Sequence, residues 1–333
     1  MRLSLWCCLP SLLAVPAPTA PGTTLAYVPK AGTRVLRTYT NPGERTLSSM
    51  RLVFGGDEHP VGKTEITERT QAKVVFEDEL VEADGDRVTK LRRSFGEMSR
   101  STTEEVSVEG KEDEEHTFER KSGLADATVV FTWDADEREY DAAFDGSGGD
   151  DALLADLTAD VELSAFLPPK AVSEGDRWDV DVDAFRTLIQ PGGDLGFEGE
   201  TPEPEWQKKA KKDLIESFRG EIHARFEGTR EVDGVQVGVI AIEAELSGEA
   251  EAGPDPERRG SQGAEVRVKE KLHGELLWDL EAQRAHSYEL EGSGQFTLKM
   301  KLAFEMGDQK VEGTQELVFD VAETYGASFE LRR

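Results

Sequence analysis

A chain of 333 residues, 37% hydrophobic and 32% charged, is long enough for about two ordinary domains and keeps much of itself in water. Acids outnumber bases 68 to 39, and the resulting net charge of −29 repels phosphate backbones and anionic lipid surfaces, which argues against nucleic-acid binding. Both cysteines, Cys7 and Cys8, fall near the N-terminus, so the rest of the chain has no thiol for a disulfide, a Cys-ligated zinc or a nucleophile.

Residues 1–26 read as a secretory signal peptide: Arg2, a mostly apolar run over 3–15, then the small residues Ala14, Ala17 and Ala20. The run is too short to cross a bilayer core of roughly 30 Å as a helix, and no later segment is suited to it either. Cleavage after Ala20 would leave Pro21 first, whereas Thr24-Leu25-Ala26 is a small-x-small site before Tyr27, and the second is the preferred reading. The expected mature protein is periplasmic or extracellular, without a transmembrane segment. An uncleaved anchor is the alternative, against which the short run and its prolines count.

After the apolar Leu52-Val53-Phe54, residues 55–64 read G-G-D-E-H-P-V-G-K-T and resemble a phosphate-binding loop. Asp57 stands where the first glycine is required, acids at 57 and 58 would repel phosphate, and Thr64-Glu65-Ile66-Thr67-Glu68 alternates like a strand. A hairpin loop is predicted.

An internal repeat organises the rest. F-T-W-D-A-D-E-R-E-Y around Trp133 returns as L-L-W-D-L-E-A-Q-R-A-H-S-Y around Trp278, 145 residues later. Phe76 with Asp84-Gly85 matches Phe226 with Asp233-Gly234, and more weakly Gly32-Thr33-Arg34 matches Gly175-Asp176-Arg177. The shared pieces alternate with period two and turn back within a few residues, as in Leu272, Gly274, Leu276 and Trp278 returning through Tyr288 and Leu290, or Ile222, Ala224 and Phe226 returning through Val235, Val237 and Val239. Antiparallel meanders follow. The predicted fold is mainly β: antiparallel, internally duplicated curved sheets or half-barrels over 27–165 and 166–333, with one or two packed helices.

Between and beyond the repeats, 145–151 is an acidic turn that lacks the ligand spacing of a calcium loop. From Asp150 to Leu157 an acidic start and helical spacing of apolar residues suggest a short helix. Asp179, Asp181 and Asp183 alternate with Trp178, Val180 and Val182, as in a strand with one wet face. The stretches 191–202 and 253–263 are loops. An amphipathic helix is predicted over 203–219, with Trp206, Ala210, Leu214, Ile215 and Phe218 on one stripe and Gly220 as its stop. Lys208, Lys209, Lys211 and Lys212 form the one dense basic cluster, best read as neutralising acidic neighbours. The strongest alternation runs over 296–306, with Phe296, Leu298, Met300, Leu302, Phe304 and Met306 on one face, and has no counterpart in the first half.

Residues 167–178, L-P-P-K-A-V-S-E-G-D-R-W, resemble the L-P-x-x-x-V-x-x-G-D-x-W segment of uncharacterised bacterial extracytoplasmic β-rich proteins. The resemblance implies an exported bacterial domain of unknown function and supplies no catalytic positions.

No recognised catalytic, cofactor or metal motif is present. His59, His116, His223, His273 and His286 are scattered, and no serine sits in a nucleophile elbow. The leading expectation is a non-catalytic exported protein that binds an apolar small molecule or an extracytoplasmic protein, with Trp206, Leu214, Phe218, Phe296, Leu298, Met300, Leu302 and Phe304 as the candidate ligand surface. A structural or envelope-assembly protein using the same residues as core is the alternative. A carboxylate-dependent hydrolase is the third.

Overall fold

The computed structural model describes residues 22–146, 148–160, 163–200, 203–254, 260–306 and 309–332. Residues 1–21 of the expected 1–26 signal peptide, Ser147, and most of the tip of the 253–263 loop therefore lie outside the described residues, as do the side chains of 304–310.

The strands are β1 (Arg34–Phe54), β2 (Asp57–His59), β3 (Thr64–Asp84), β4 (Arg87–Val108), β5 (Glu114–Ser122), β6 (Thr128–Asp134), β7 (Glu139–Phe144), β8 (Arg177–Val180), β9 (Phe197–Glu198), β10 (Arg219–Val232), β11 (Val235–Ala252), β12 (Ser261–Asp279), β13 (Arg284–Met306) and β14 (Gln309–Arg332). Two helices, α1 (Arg186–Ile189) and α2 (Glu205–Glu216), accompany them. All fourteen strands belong to one open, curved, antiparallel sheet in the order β7-β6-β4-β3-β1-β14-β13-β12-β11-β10-β8, with β2, β5 and β9 paired off this path. The mainly β, antiparallel expectation is met, as one continuous sheet.

The order of strands repeats. The first half runs β1-β3-β4-β6-β7 as neighbours and the second runs β8-β10-β11-β12-β13, with β14 joining β1 to β13. The matched tryptophans occupy equivalent places. Asp134 accepts hydrogen bonds from the backbone N–H groups of Asp136 and Glu137, and Asp279 accepts from those of Glu281 and Ala282. Each turn then closes on a left-handed residue, Arg138 at φ 62° and Gln283 at φ 53°. An aspartate that caps its own turn explains why W-D is the legible part of the repeat. The Asp-Gly pairs are one residue out of step: Asp233 and Gly234 form a two-residue loop with φ of 51° and 80°, whereas the β3–β4 loop is Gly85-Asp86.

Other expectations shift at their edges. Within the expected hairpin loop over 55–64, Gly55 and Gly56 at positive φ turn β1 into the short strand β2. The predicted helix from Asp150 is one 3₁₀ turn, Asp151–Leu154, capped by the Asp150 side chain. The aspartate alternation ends as a strand at Val180, because Asp181 accepts from the N–H of Asp183 and starts a 3₁₀ turn over Val182–Phe185. The 203–219 helix is real over Glu205–Glu216, but Ser217 ends it. Gly220 lies inside β10, where a Cβ would collide with the Glu245 carbonyl.

Residues 150–218 cover one face of the sheet, called here the inner face. Phe76, Phe131, Trp278, Leu290 and Phe329 from the strands meet Phe166, Phe185, Leu188 and Leu195 from the covering segment. A salt-bridged knot fastens the two. Asp78 is 0% exposed and pairs with Arg37 Nε at 2.8 Å and Arg93 Nε at 2.7 Å. Arg93 also donates to the carbonyls of Thr158 and Ala159, and Arg37 to that of Asp160. Residues 22–26, assigned to the leader from sequence, are built into this core. Leu25 is 4% exposed, Thr23 exchanges backbone hydrogen bonds with Val172, and Trp278 Nε1 donates to the Ala26 carbonyl at 3.2 Å.

Candidate ligand cleft

The long strands carry side chains inward in cross-strand rows. Tyr39, Val74 and Met98 form one row across β1, β3 and β4; Asn41, Ala72 and Arg100 form the next, farther from the core. Then come Gly43, Thr70 and Thr102, and after them Arg45, Glu68 and Glu104. The inner face thus passes from apolar to polar within a few residues.

Opposite these rows stand α1, the loop that follows it and the inner side of α2. They leave a chamber of about 140 Å³ walled by Tyr39, Ala72, Val74, Leu188, Ile189, Leu195, Phe197, Ile215 and Tyr288, with Asn41, Gln190, Arg100 and Lys211 as its polar members. A wider chamber of about 560 Å³ shares Gln190, Gly193, Asp194, Phe197, Lys211 and Ile215 with it, so the two are one cleft. Gly192 and Gly193, both at positive φ, let the loop turn tightly here; a Cβ on Gly193 would collide with the Asp156 carbonyl.

The smaller chamber carries two cations, Arg100 and Lys211, against one acid, Asp194, whereas the wider one is lined by more acids than bases. Arg100 is largely buried, and burial, with Arg45 and Arg120 nearby, lowers its pKa. Lys211 is exposed; desolvation first, and Arg100 second, lower its pKa, while Asp194 and Glu203 act to raise it. Among the described residues neither cation forms a hydrogen bond or ion pair. Of the nearby acids, Glu203 pairs with Arg120 at 3.4 Å and Glu323 with Arg45 at 3.4 Å, while Asp194 accepts from the Gly196 N–H at 3.0 Å and keeps its charge beside Lys211. The other three lysines of the basic cluster are paired, Lys208 with Glu205, Lys209 with Asp213 and Lys212 with Asp156.

A second polar group lies on the inner face of β12 to β14. The Tyr325 hydroxyl reaches Glu323 Oε2 at 2.7 Å and Glu270 Oε1 at 3.3 Å. Glu270 crosses β13 over Gly292, whose missing Cβ makes the space. Burial first, and Glu323 second, push the Glu270 carboxyl up to about 8.

The residues proposed from sequence do not line either chamber. Trp206 packs with Leu298 and Met300 around Ala210, Ala252 and Ala264, so the expected meeting of the helix with the late strand occurs, as a small core. Leu214 faces Gly248, and Phe218 stacks on Phe185 at 5.6 Å. Phe296 lies 6.2 Å from Phe319 with the Arg45 guanidinium 4.8 Å above it. Leu302 is buried. Phe304 lies within β13, its side chain outside the described residues. Arg100 is not among the residues singled out from sequence, and Lys211 is there only as part of the cluster read as neutralising acidic neighbours. The available signals were phase: Arg100 continues the inward alternation of Met98, and Lys211 is one turn before Ile215 on α2.

No helix among the described residues is long and apolar enough to cross a membrane, and no group of three or more potential metal ligands is found among them. No family model matches the chain, and no curated protein matches it. Among solved structures it is aligned with the InvG secretin domain β-barrel from the Salmonella SPI-1 injectisome at 8% identity and a TM-score of 0.17, over 90% of this chain and 64% of that one, a score below that of a shared fold.

Proposed function

We propose that this is an exported, non-catalytic binding protein that holds a ligand with an apolar part against the inner face of its sheet, in the cleft beneath α2. One observation carries the reading. Arg100 and Lys211 line an apolar chamber side by side, and among the described residues neither side chain forms a hydrogen bond or ion pair, although Asp194 and Glu203 lie near them. A desolvated, unpaired cation is costly, and folds retain such groups where something pairs with them. The leader-like residues 1–26 support export, and the resemblance of residues 167–178 to bacterial extracytoplasmic proteins agrees with it.

Native mass spectrometry of the purified protein, with solvent extraction of the same sample, tests the proposal. A co-purifying small molecule at one per chain, released on extraction and rebound afterwards, is expected. A bare chain that also takes up no amphiphile added to it would refute the reading and leave a structural role.

A further inference from the structure

We infer that the ligand is an anionic amphiphile, a singly charged carboxylate-like head on an apolar group, with the head between Arg100 and Lys211 and the apolar part against Tyr39, Val74, Leu188 and Ile215. This rests on the binding-protein reading above and names its ligand class.

Volume, charge and neighbouring acids each narrow the chemistry. The 140 Å³ chamber is close to the size of an apolar cavity that accepts benzene, so it takes an apolar group of about six to eight heavy atoms. The rest of a longer molecule passes into the 560 Å³ chamber that shares Lys211 and Ile215 with it. A free inorganic anion would leave that apolar wall unused. A neutral lipid would leave the half-buried Arg100 without an anionic partner, and a carboxylate supplies one, accepting from the guanidinium fork and from the neighbouring Lys211 ammonium. More than one negative charge is opposed from two rows out. There Glu68 and Glu104 face each other across β3 and β4; burial raises the Glu68 pKa and Glu104 adds to it, against Arg45 in the same row. Glu323 stands one row nearer, on β14 opposite Gly43, bonded to Arg45 and Tyr325.

The test is calorimetric titration of the full protein, stripped over hydrophobic resin and verified empty by native mass spectrometry, with sodium decanoate, decan-1-ol and sodium acetate. Decanoate is expected to bind one per chain, at least tenfold more tightly than either decanol, which lacks the head charge, or acetate, which lacks the tail. The Arg100→Gln/Lys211→Gln variant should lose at least tenfold in decanoate affinity and none in decanol affinity. Equal binding of decanol and decanoate would overturn the headgroup assignment while leaving a binding protein, whereas no binding of either would remove both. Decanoate affinity unchanged in the folded double variant would also overturn the assignment. Should that variant not fold, salt decides. Decanoate binding by the unaltered protein should weaken between 20 mM and 500 mM salt, on the screening expected for a partly exposed ion pair, while decanol binding stays constant; salt-independent decanoate binding overturns the proposal.

Discussion

Replacing Glu270 by glutamine should change how stability depends on pH. The carboxyl is buried on β12, and facing it are Glu323 and Tyr325 from β14 and Arg45 from β1. Its pKa is raised from 4.5 to about 8 in the folded protein, so folding favours the protonated form. The stability tied to that proton is fully present below the unfolded value near 4.5, is lost as pH rises, and is gone above the folded value near 8. At about 1.4 kcal/mol per pH unit the shift corresponds to roughly 5 kcal/mol. Relaxation and water penetration reduce such figures, so about 2–5 kcal/mol is expected. Glutamine keeps a carbonyl oxygen for the Tyr325 hydroxyl and cannot ionise. Urea unfolding followed by tryptophan fluorescence at pH 5, 6, 7, 8 and 9 should show the two proteins nearly equal at pH 5. The variant should become progressively more stable, reaching its full advantage by pH 9. Groups common to both proteins, including the exposed His223 whose pKa Asp179 raises, cancel in the difference. Parallel curves, or a variant less stable at every pH, would refute the reasoning.

Asp78→Ala should cost about 3–5 kcal/mol in urea unfolding, because it leaves Arg37 and Arg93 buried without their shared carboxylate. Gly292→Ala puts a methyl against Glu270 Oε1 and the Leu272 side chain; a loss of about 1–3 kcal/mol and a flatter pH dependence than the unaltered protein are expected in the same experiment. Leu25→Ala should cost about 2–5 kcal/mol, since the side chain belongs to the main core. The same packing predicts that an exported and processed chain retains residues 22–26, and intact mass of the secreted protein should place its N-terminus at or before Gly22.

Fold class was readable because sheets write themselves in period two. Leu272, Leu276 and Trp278 of β12 and Tyr288 and Leu290 of β13 share the main core at spacings of two or four, with Leu277 in a separate small core beside Val237 and Val239, and the W-D turns carry their own cap. Joining of the halves was not readable: β14 pairs along nearly its whole length with both β1 and β13, and a strand's sequence does not encode its partner. The alternation of Asp179 and Asp181 misled in a local way, since an aspartate able to cap the next turn defeats the strand pattern. The site was missed for a related reason. A search for apolar residues on one stripe finds Trp206, Leu298 and Met300, whose mutual contact is ordinary packing. The informative residues were two cations in inward phase. Their meaning depends on which acids are already paired, and only the fold supplies that.

The central position of β14 governs the order in which this protein can acquire its structure. Arg34 at the start of β1 pairs with Arg332 at the far end of the chain, so the seam between the two meanders closes only when the last strand is present. Until then β1 and β13 each present a long row of unsatisfied backbone groups, the kind of edge that recruits strands from other molecules. Pairing across nearly the whole chain makes that closure an intrinsically late and slow event. An excess of acidic side chains suits such a chain, because mutual repulsion between copies protects the open edges while each waits for its own final strand.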